Sequence, residues 1–459
     1  MYFRKRPAFL AGLLLLLAIM APVSAQIATN DDTTLKQFII FGRHSIRAGQ
    51  VTPGPEPFAS KPYPAFEVQS GYLTPNGALA EGLLASYYHD YLIHEGLLTG
   101  NPQADLANSY FRANSIQRSN ITAEVLGAGL IPGIKVPVHS YPLLQPDGVF
   151  DPIVTNVAAV DANRAAKEIQ ALYNSGTAIA SGYSGEFSLV RSVLFNYSLG
   201  TDPPPSTPSG LTDPTTSAIP LTPVTSGLST GYVVNVGGLQ NTVGAADPFV
   251  MEYADGMPLK AVGWGQLSPD TLSQQTRLIT LEFNIVMRAP YVNRVQSSNA
   301  AAHVLRSMKQ AVIDEAIPGS FSDQKPHILG IISSDAYVLG LAGMLDLHWQ
   351  LPGYQPDFCP PGGALVFELR QSRRTGEYLV RVYFTAQTFD QLRSLTPLSL
   401  NTPPATMQLR IPGGGNLGGN FDVKFETFQK LLNDAIGWKY VQDPRTEVPP
   451  GVLDNVPLK

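Results

Sequence analysis

Hydrophobic positions along this chain fall into three similar layouts, each an apolar run, a polar elbow and a segment of helical period. The first is Gln37, Phe38, Ile39, Ile40 and Phe41, followed by Gly42, Arg43, His44, Ser45, Ile46 and Arg47. The second is residues 110–113, then Asn114 and Ser115, then a helix predicted from 116 to about 126 with Ser115 as its N-cap. The third is residues 328–332, then Ser333, Ser334 and Asp335, then a helix to about 347. Runs without polar alternation predict strands buried on both faces, and strands that feed helices predict an α/β fold. In such sheets ligands gather outside the carboxyl ends of the strands, beside helix N-termini that favour anions. All three elbows put polar or charged residues at that edge.

The remaining pattern fills in the architecture. Thr74 before Pro75 predicts a capped helix start, Leu79, Leu83, Tyr87 and Tyr91 recur every four residues, and Gly96 ends the helix. Residues 161–173 read as another helix, stopped by Gly176. Runs at 364–369 and 379–384 predict strands that extend the sheet in an antiparallel sense. Residues 201–226 are rich in Pro, Thr and Ser and predict a surface loop or flexible insertion. The expected fold class is therefore α/β, a mixed central sheet flanked by helices. Residues 26–145 with 285–459 form its main domain, and 146–284 form a smaller, mostly helical inserted domain. The active site is expected between the two.

Composition narrows the class. Residues 1–25 open with Arg4, Lys5 and Arg6, run apolar, and close on Val23, Ser24 and Ala25, the pattern of a cleaved secretory signal peptide. Taking its three cations from the 31 Lys and Arg leaves 28 against 36 Asp and Glu, a net charge of −8. That balance offers no basic footprint for nucleic acid or a membrane surface, so neither is expected as a partner. The single cysteine, Cys359, excludes an internal disulfide and reads as a structural thiol, since Pro360 and Pro361 follow it. A periplasmic or secreted location fits. The histidines show no metal-ligand spacing, because His89 and His94 lie five apart on different helix faces, and no metal or cofactor is expected.

Arg43, His44, Ser45, Ile46 and Arg47 carry the sharpest chemistry. A phosphoryl group spreads charge over its oxygens, and arginine's planar fork suits them. A histidine between two arginines has its charged form disfavoured, which leaves a neutral imidazole able to attack phosphorus. The bland alternative is a histidine in a charged surface turn; the position after a buried strand, with two further elbows to meet it, argues for the site. Gly227, Ser229 and Gly231 match a Gly-x-Ser-x-Gly nucleophile elbow by letter. Nothing strand-like leads into them, as that elbow requires.

Here the sequence resembles the histidine acid phosphatases, in the branch of periplasmic phytases and glucose-1-phosphatases. The family pattern Arg-His-Gly-x-Arg-x-Pro is matched by Arg43, His44 and Arg47. Collinear matches follow at 73–77, 113–118, 256–258, 263–265, 334–335, 360–368 and 396–404, so the resemblance spans residues 36 to 435. It implies His44 as nucleophile, with Arg43, Arg47 and Arg118 holding the phosphate. It implies Asp335 as the acid that protonates the leaving alcohol, and Arg288 as a position that can face the substrate. The departures are equally specific. Ser334 stands where the family carries a histidine, removing a cation from the phosphate site, and Ser45 and Gly49 replace the motif's glycine and proline. Tyr337 stands where phytase-like members carry an asparagine.

The expected function is an acid phosphatase acting on phosphomonoesters, phytate-like or sugar phosphates, through a phosphohistidine, slowed or re-specialised by the loss of that histidine. Two alternatives stay open: a catalytically weak protein that binds phosphate esters, and a serine hydrolase using Ser229.

Overall fold

The computed structural model describes residues 32–50, 57–226, 232–415, 420–453 and 456–457. The expected signal peptide and the Gly227–Gly231 match lie outside them. The first strand, β1 (Thr33–Arg43), is followed by α1 (Pro75–His94), α2 (Pro102–Ala107), β2 (Ser109–Ala113), α3 (Gln117–Leu130) and β3 (Val138–Ser140). A helical stretch comes next: α4 (Ala162–Tyr173), α5 (Gly176–Gly182) and α6 (Ser184–Leu194). The short pair β4 (Thr222–Pro223) and β5 (Val234–Asn235) leads into α7 (Gly238–Ala254) and α8 (Pro269–Val286). The chain returns through α9 (Pro290–Ile313) to β6 (Ile328–Ser333), α10 (Asp335–Met344), β7 (Ala364–Ser372) and β8 (Tyr378–Ala386). It finishes with α11 (Phe389–Arg393), β9 (Ala405–Gln408), β10 (Val423–Lys424), α12 (Phe425–Ala435) and β11 (Gly451–Val452).

Nine of these strands form one mixed sheet, ordered β10-β8-β7-β1-β6-β2-β3-β11 with β9 against β8. At its centre β1 runs parallel to β6, from Phe38 opposite Ile328 to Arg43 opposite Ser333, and antiparallel to β7. On its other edge β6 runs parallel to β2. Successive side chains of a strand point to opposite faces. Accordingly Phe38 and Ile40 pack with Leu84, Tyr88 and Leu126 under α1 and α3. Ile39 and Phe41 pack on the opposite side, in the core shared with α9, α10 and α12. A run with no polar position is what a strand covered on both faces needs.

The three parallel strands end level with one another. The His44 amide donates to the carbonyl of Ser333 (2.8 Å), and the Asn114 amide to that of Ile332 (3.0 Å). The elbow after β1 is held by α1, whose Gly77 leaves no room for a side chain: a Cβ there would lie 2.2 Å from the Ile46 carbonyl oxygen. Thr74 caps α1 as expected, accepting from the Gly77 amide (2.9 Å).

Several local expectations change. Ser115 does not cap α3; its hydroxyl turns to the carbonyl of Gln145, and Ile116 takes the cap position without a side-chain bond. Leu79 is 57% exposed, and the buried face of α1 runs instead through Ala80, Leu84, Tyr87, Tyr88 and Tyr91. The helix at 161–173 is stopped by Asn174 in a positive-φ conformation (φ 65°), whereas Gly176 opens the next helix behind a Ser175 cap. The 201–226 segment is anchored beyond its first dozen residues: Pro214, Thr215, Ile219 and Leu221 are buried, and Arg191 pairs with Asp213 at 2.5 Å.

Candidate active site

The three elbows open into a cavity of about 510 Å³. His44, Arg43 and Arg47 reach it from the turn after β1, Arg118 from the first turn of α3, and Ser334 and Asp335 from the start of α10. Six of the seven residues singled out in the sequence therefore meet at one sheet edge. Their closeness has a simple origin, since parallel neighbours that end together bring their following turns together.

His44 is buried, and its Nδ1 lies 2.8 Å from the carbonyl oxygen of Ser45. A carbonyl only accepts, so the neutral ring carries its hydrogen on Nδ1 and leaves the Nε2 lone pair unprotonated. Burial, then the charges of Arg118, Arg43 and Arg47, hold the imidazole pKa well below its ordinary value. The ring is thus neutral in mildly acidic solution, as a nucleophile must be.

The arginines are fixed from behind. Arg43 donates from Nη1 to the Cys359 carbonyl (2.6 Å), Arg47 to that of Ala48 (3.1 Å) and Arg118 to that of Gly71 (3.1 Å). Cys359 itself is buried and its thiol is held protonated by that burial, so its part here is the backbone oxygen. The guanidinium groups keep unused capacity: the Nε atoms of Arg43, Arg47 and Arg118 are all buried without a hydrogen-bond partner among the described residues. Buried donors left unpaired are costly, and an anion with several oxygens is the kind of ligand that would engage such a cluster.

Carboxylates face these cations. Asp335 lies 3.1 Å from Arg43 Nη2 and accepts from the amide of Ala336 (3.1 Å) at the start of α10. Asp247, on α7, lies 2.6 Å from Arg47 Nη2 and 4.0 Å from Arg43. Ser334 is the N-cap residue of α10, yet its side chain makes no capping bond. Gly49, where the resembled motif has a proline, lies against Pro248 of α7, where an added Cβ would sit 3.1 Å from the ring.

Sequence reasoning missed four cavity residues: Asp247, Glu282, Tyr232 and Asp151. Asp247 precedes a proline inside a helix, and Glu282 interrupts an apolar stretch between Leu281 and Phe283, which are the only local cues. Glu282 is buried, and burial followed by the charges of Asp335 and Asp247 pushes its carboxyl up to about 8. Asp151 accepts from the hydroxyl of Tyr337. Conversely, Arg288 does not line the cavity. It pairs with Asp357 (3.3 Å) and donates to the Leu347 carbonyl (2.9 Å), a structural role in place of the substrate contact expected for it.

Comparisons with known proteins agree with this geometry. No family model matches the chain. It is 27% identical over 426 residues to a glucose-1-phosphatase of Providencia rettgeri, covering 91% of this chain and 97% of that one. It is 29% identical over 441 residues to the phytase AppA of Escherichia coli, covering 93% and 98%. Among solved structures, the Hafnia alvei phytase in complex with tartrate superposes with a TM-score of 0.79 at 25% identity, over 90% of this chain and all of that one. The Citrobacter braakii phytase shares the fold at a TM-score of 0.76 and 24% identity, over 89% and 99%.

Proposed function

We propose that this chain is a histidine acid phosphatase, as its similarity to a glucose-1-phosphatase and a phytase supports, and that it hydrolyses phosphate monoesters at the cavity above β1, β2 and β6. The observation that carries the reading is His44 set among three arginines, its Nδ1 against a carbonyl and its pKa depressed. In the first step Nε2 of His44 attacks phosphorus and the ester P–O bond breaks. Asp335, as the carboxylic acid, gives its proton to the departing oxygen, which leaves as an alcohol. In the second step water attacks the phosphohistidine, the P–N bond breaks, and the water's proton returns to the Asp335 carboxylate. Inorganic phosphate is released and both groups are restored.

Arg43, Arg47 and Arg118 hold the phosphoryl oxygens and offset the charge that develops on them. Asp247 pairs with Arg47 and faces Arg43, so it competes with phosphate for those forks. An acid that donates only when protonated favours acidic conditions. The reading also places the mature chain in a periplasm or outside the cell, on the strength of residues 1–25.

The test is phosphate release from p-nitrophenyl phosphate across acidic pH, comparing the mature protein with His44→Ala. Release should vanish in the variant, and an acid-labile, alkali-stable phosphoryl label should be trapped on the intact protein only. Undiminished release from His44→Ala would remove the nucleophile assignment. Saturable phosphate binding without release by the intact protein would leave a binding protein in place of an enzyme.

A further inference from the structure

The charge map of the cavity points beyond a general phosphatase. All its arginines belong to one cluster: Arg43, Arg47 and Arg118 each act on His44 and on one another. Among the described residues lining the rest of the cavity there is no lysine and no further arginine. The undescribed stretches adjoining lining residues Gln50 and Tyr232, residues 51–56 and 227–231, contain neither in sequence. One phosphoryl group, carrying about −1.5 to −2 charges at neutral pH, is all that this cluster is placed to neutralise.

The wall that meets the leaving group can be identified. Asp335 protonates the departing oxygen, so the body of the substrate lies on the Asp335 side. The groups whose ionisation Asp335 perturbs there are Glu282 and Tyr232, both lining the cavity. Glu282 is only 3% exposed. Kept protonated by burial in acidic solution, it offers one donor and one acceptor, and the Tyr232 and Tyr337 hydroxyls and the Gln240 amide add uncharged polar groups. Val154, Val243, Ile279 and Phe283 supply apolar surface between them. Uncharged donors and acceptors interleaved with apolar patches suit a polyhydroxyl body. A second phosphate would find no cation among the described residues lining this part of the cavity and would lie near the carboxyls of Asp247 and Asp151, and like charges across a contact select against a ligand.

We infer that the site is built for esters carrying one phosphate on an uncharged polyhydroxyl body, such as sugar monophosphates, and selects against polyphosphorylated substrates such as phytate. This rests on the phosphatase reading above, and the experiment separates the two. Release of phosphate from glucose 1-phosphate and from phytate is measured at one acidic pH, with inhibition by inorganic phosphate and by myo-inositol hexasulfate. The expected preference in kcat/KM for the sugar monophosphate is about a hundredfold or more, with the hexasulfate binding no more tightly than phosphate. Glu282→Lys supplies the missing cation and should raise phytate relative to glucose 1-phosphate by about tenfold. Gln240→Lys, at an exposed position on the same cavity, makes the same test without placing a lysine in a buried position. Comparable or greater kcat/KM on phytate, or hexasulfate binding tighter than phosphate, would overturn the inference while leaving the phosphatase intact. Hydrolysis of neither ester would remove the phosphatase reading. The selectivity then stands or falls on the binding comparison alone.

Discussion

Placing a cation at residue 334 should accelerate phosphate-ester hydrolysis, and the size of the gain can be worked out. The side chain of Ser334 makes no capping bond, so Ser334→His removes no side-chain contact of α10, and the backbone bond from Val338 to its carbonyl (3.2 Å) is kept. One preorganised donor to a developing charge contributes about 2.7–4 kcal/mol. Against this stands a helix N-terminus, where a cation costs about 0.3–1 kcal/mol. The difference is roughly 2–3 kcal/mol, which at about 1.36 kcal/mol per decade is a gain of some 30- to 150-fold in kcat. The new imidazole helps only when protonated, so the gain should grow as pH falls and fade as it rises past neutrality. Steady-state kinetics on p-nitrophenyl phosphate in both proteins, with circular dichroism to show unchanged folding, would measure it. A folded variant with unchanged or lower kcat below pH 6 would show that Arg43, Arg47 and Arg118 already saturate the charge, and would refute the reasoning.

Asp247→Asn should free the Arg47 fork and tighten competitive inhibition by inorganic phosphate severalfold, since a neutral amide repels the anion less; a weaker Ki would show that Asp247 serves to position the arginines. Burial raises the carboxyls of Glu81, Glu252 and Glu282 from 4.5 to about 8, so the native state keeps protons that the unfolded chain has lost. Their contribution is complete below 4.5 and disappears as pH rises through 8. The melting temperature should therefore fall between about pH 5 and pH 8.5, and Glu81→Gln should flatten the slope; a rise over that window would contradict the assignment. Arg112 and Asp147 form a pair almost wholly removed from water (2.8 Å), so Asp147→Ala should cost about 3–5 kcal/mol in urea unfolding, against less than half that for an exposed pair.

The central sheet was readable because β1 and β6 carry apolar runs, Phe38 to Phe41 and Ile328 to Ile332, a pattern that requires cover on both faces, although Arg112 interrupts the run of β2. The elbows were readable because they follow those strands directly. What escaped the sequence depends on contacts between distant segments. Ser115 has the side chain of an N-cap, but the chain at Gln145 comes close enough to take its hydroxyl. Arg288 looks like a substrate arginine until the fold brings Asp357 within 3.3 Å of it. Asp247 and Glu282 sit on α7 and α8, helices whose local pattern says nothing of the cavity they meet. Leu79 fits a four-residue repeat, yet only Tyr87 and Tyr91 of that repeat are buried, and Ala80, Leu84 and Tyr88, one position further on, share the buried face with them.

The place of β1 in the sheet also sets when this protein can begin to work. It is the first strand made, but both of its partners belong to the last third of the chain: Phe38 waits for Ile328, and Gly42 for Ala364. Until residue 335 has left the ribosome, His44 exists without Asp335 and without the Ser333 carbonyl that holds its amide. A nascent chain therefore carries an idle histidine and an apolar strand with two open edges, the kind of surface that holdase chaperones cover. Phosphate-ester hydrolysis is thereby postponed until almost the entire polypeptide has emerged, so a protein delivered through a translocation channel would reach its destination before it could touch a phosphorylated metabolite on the way.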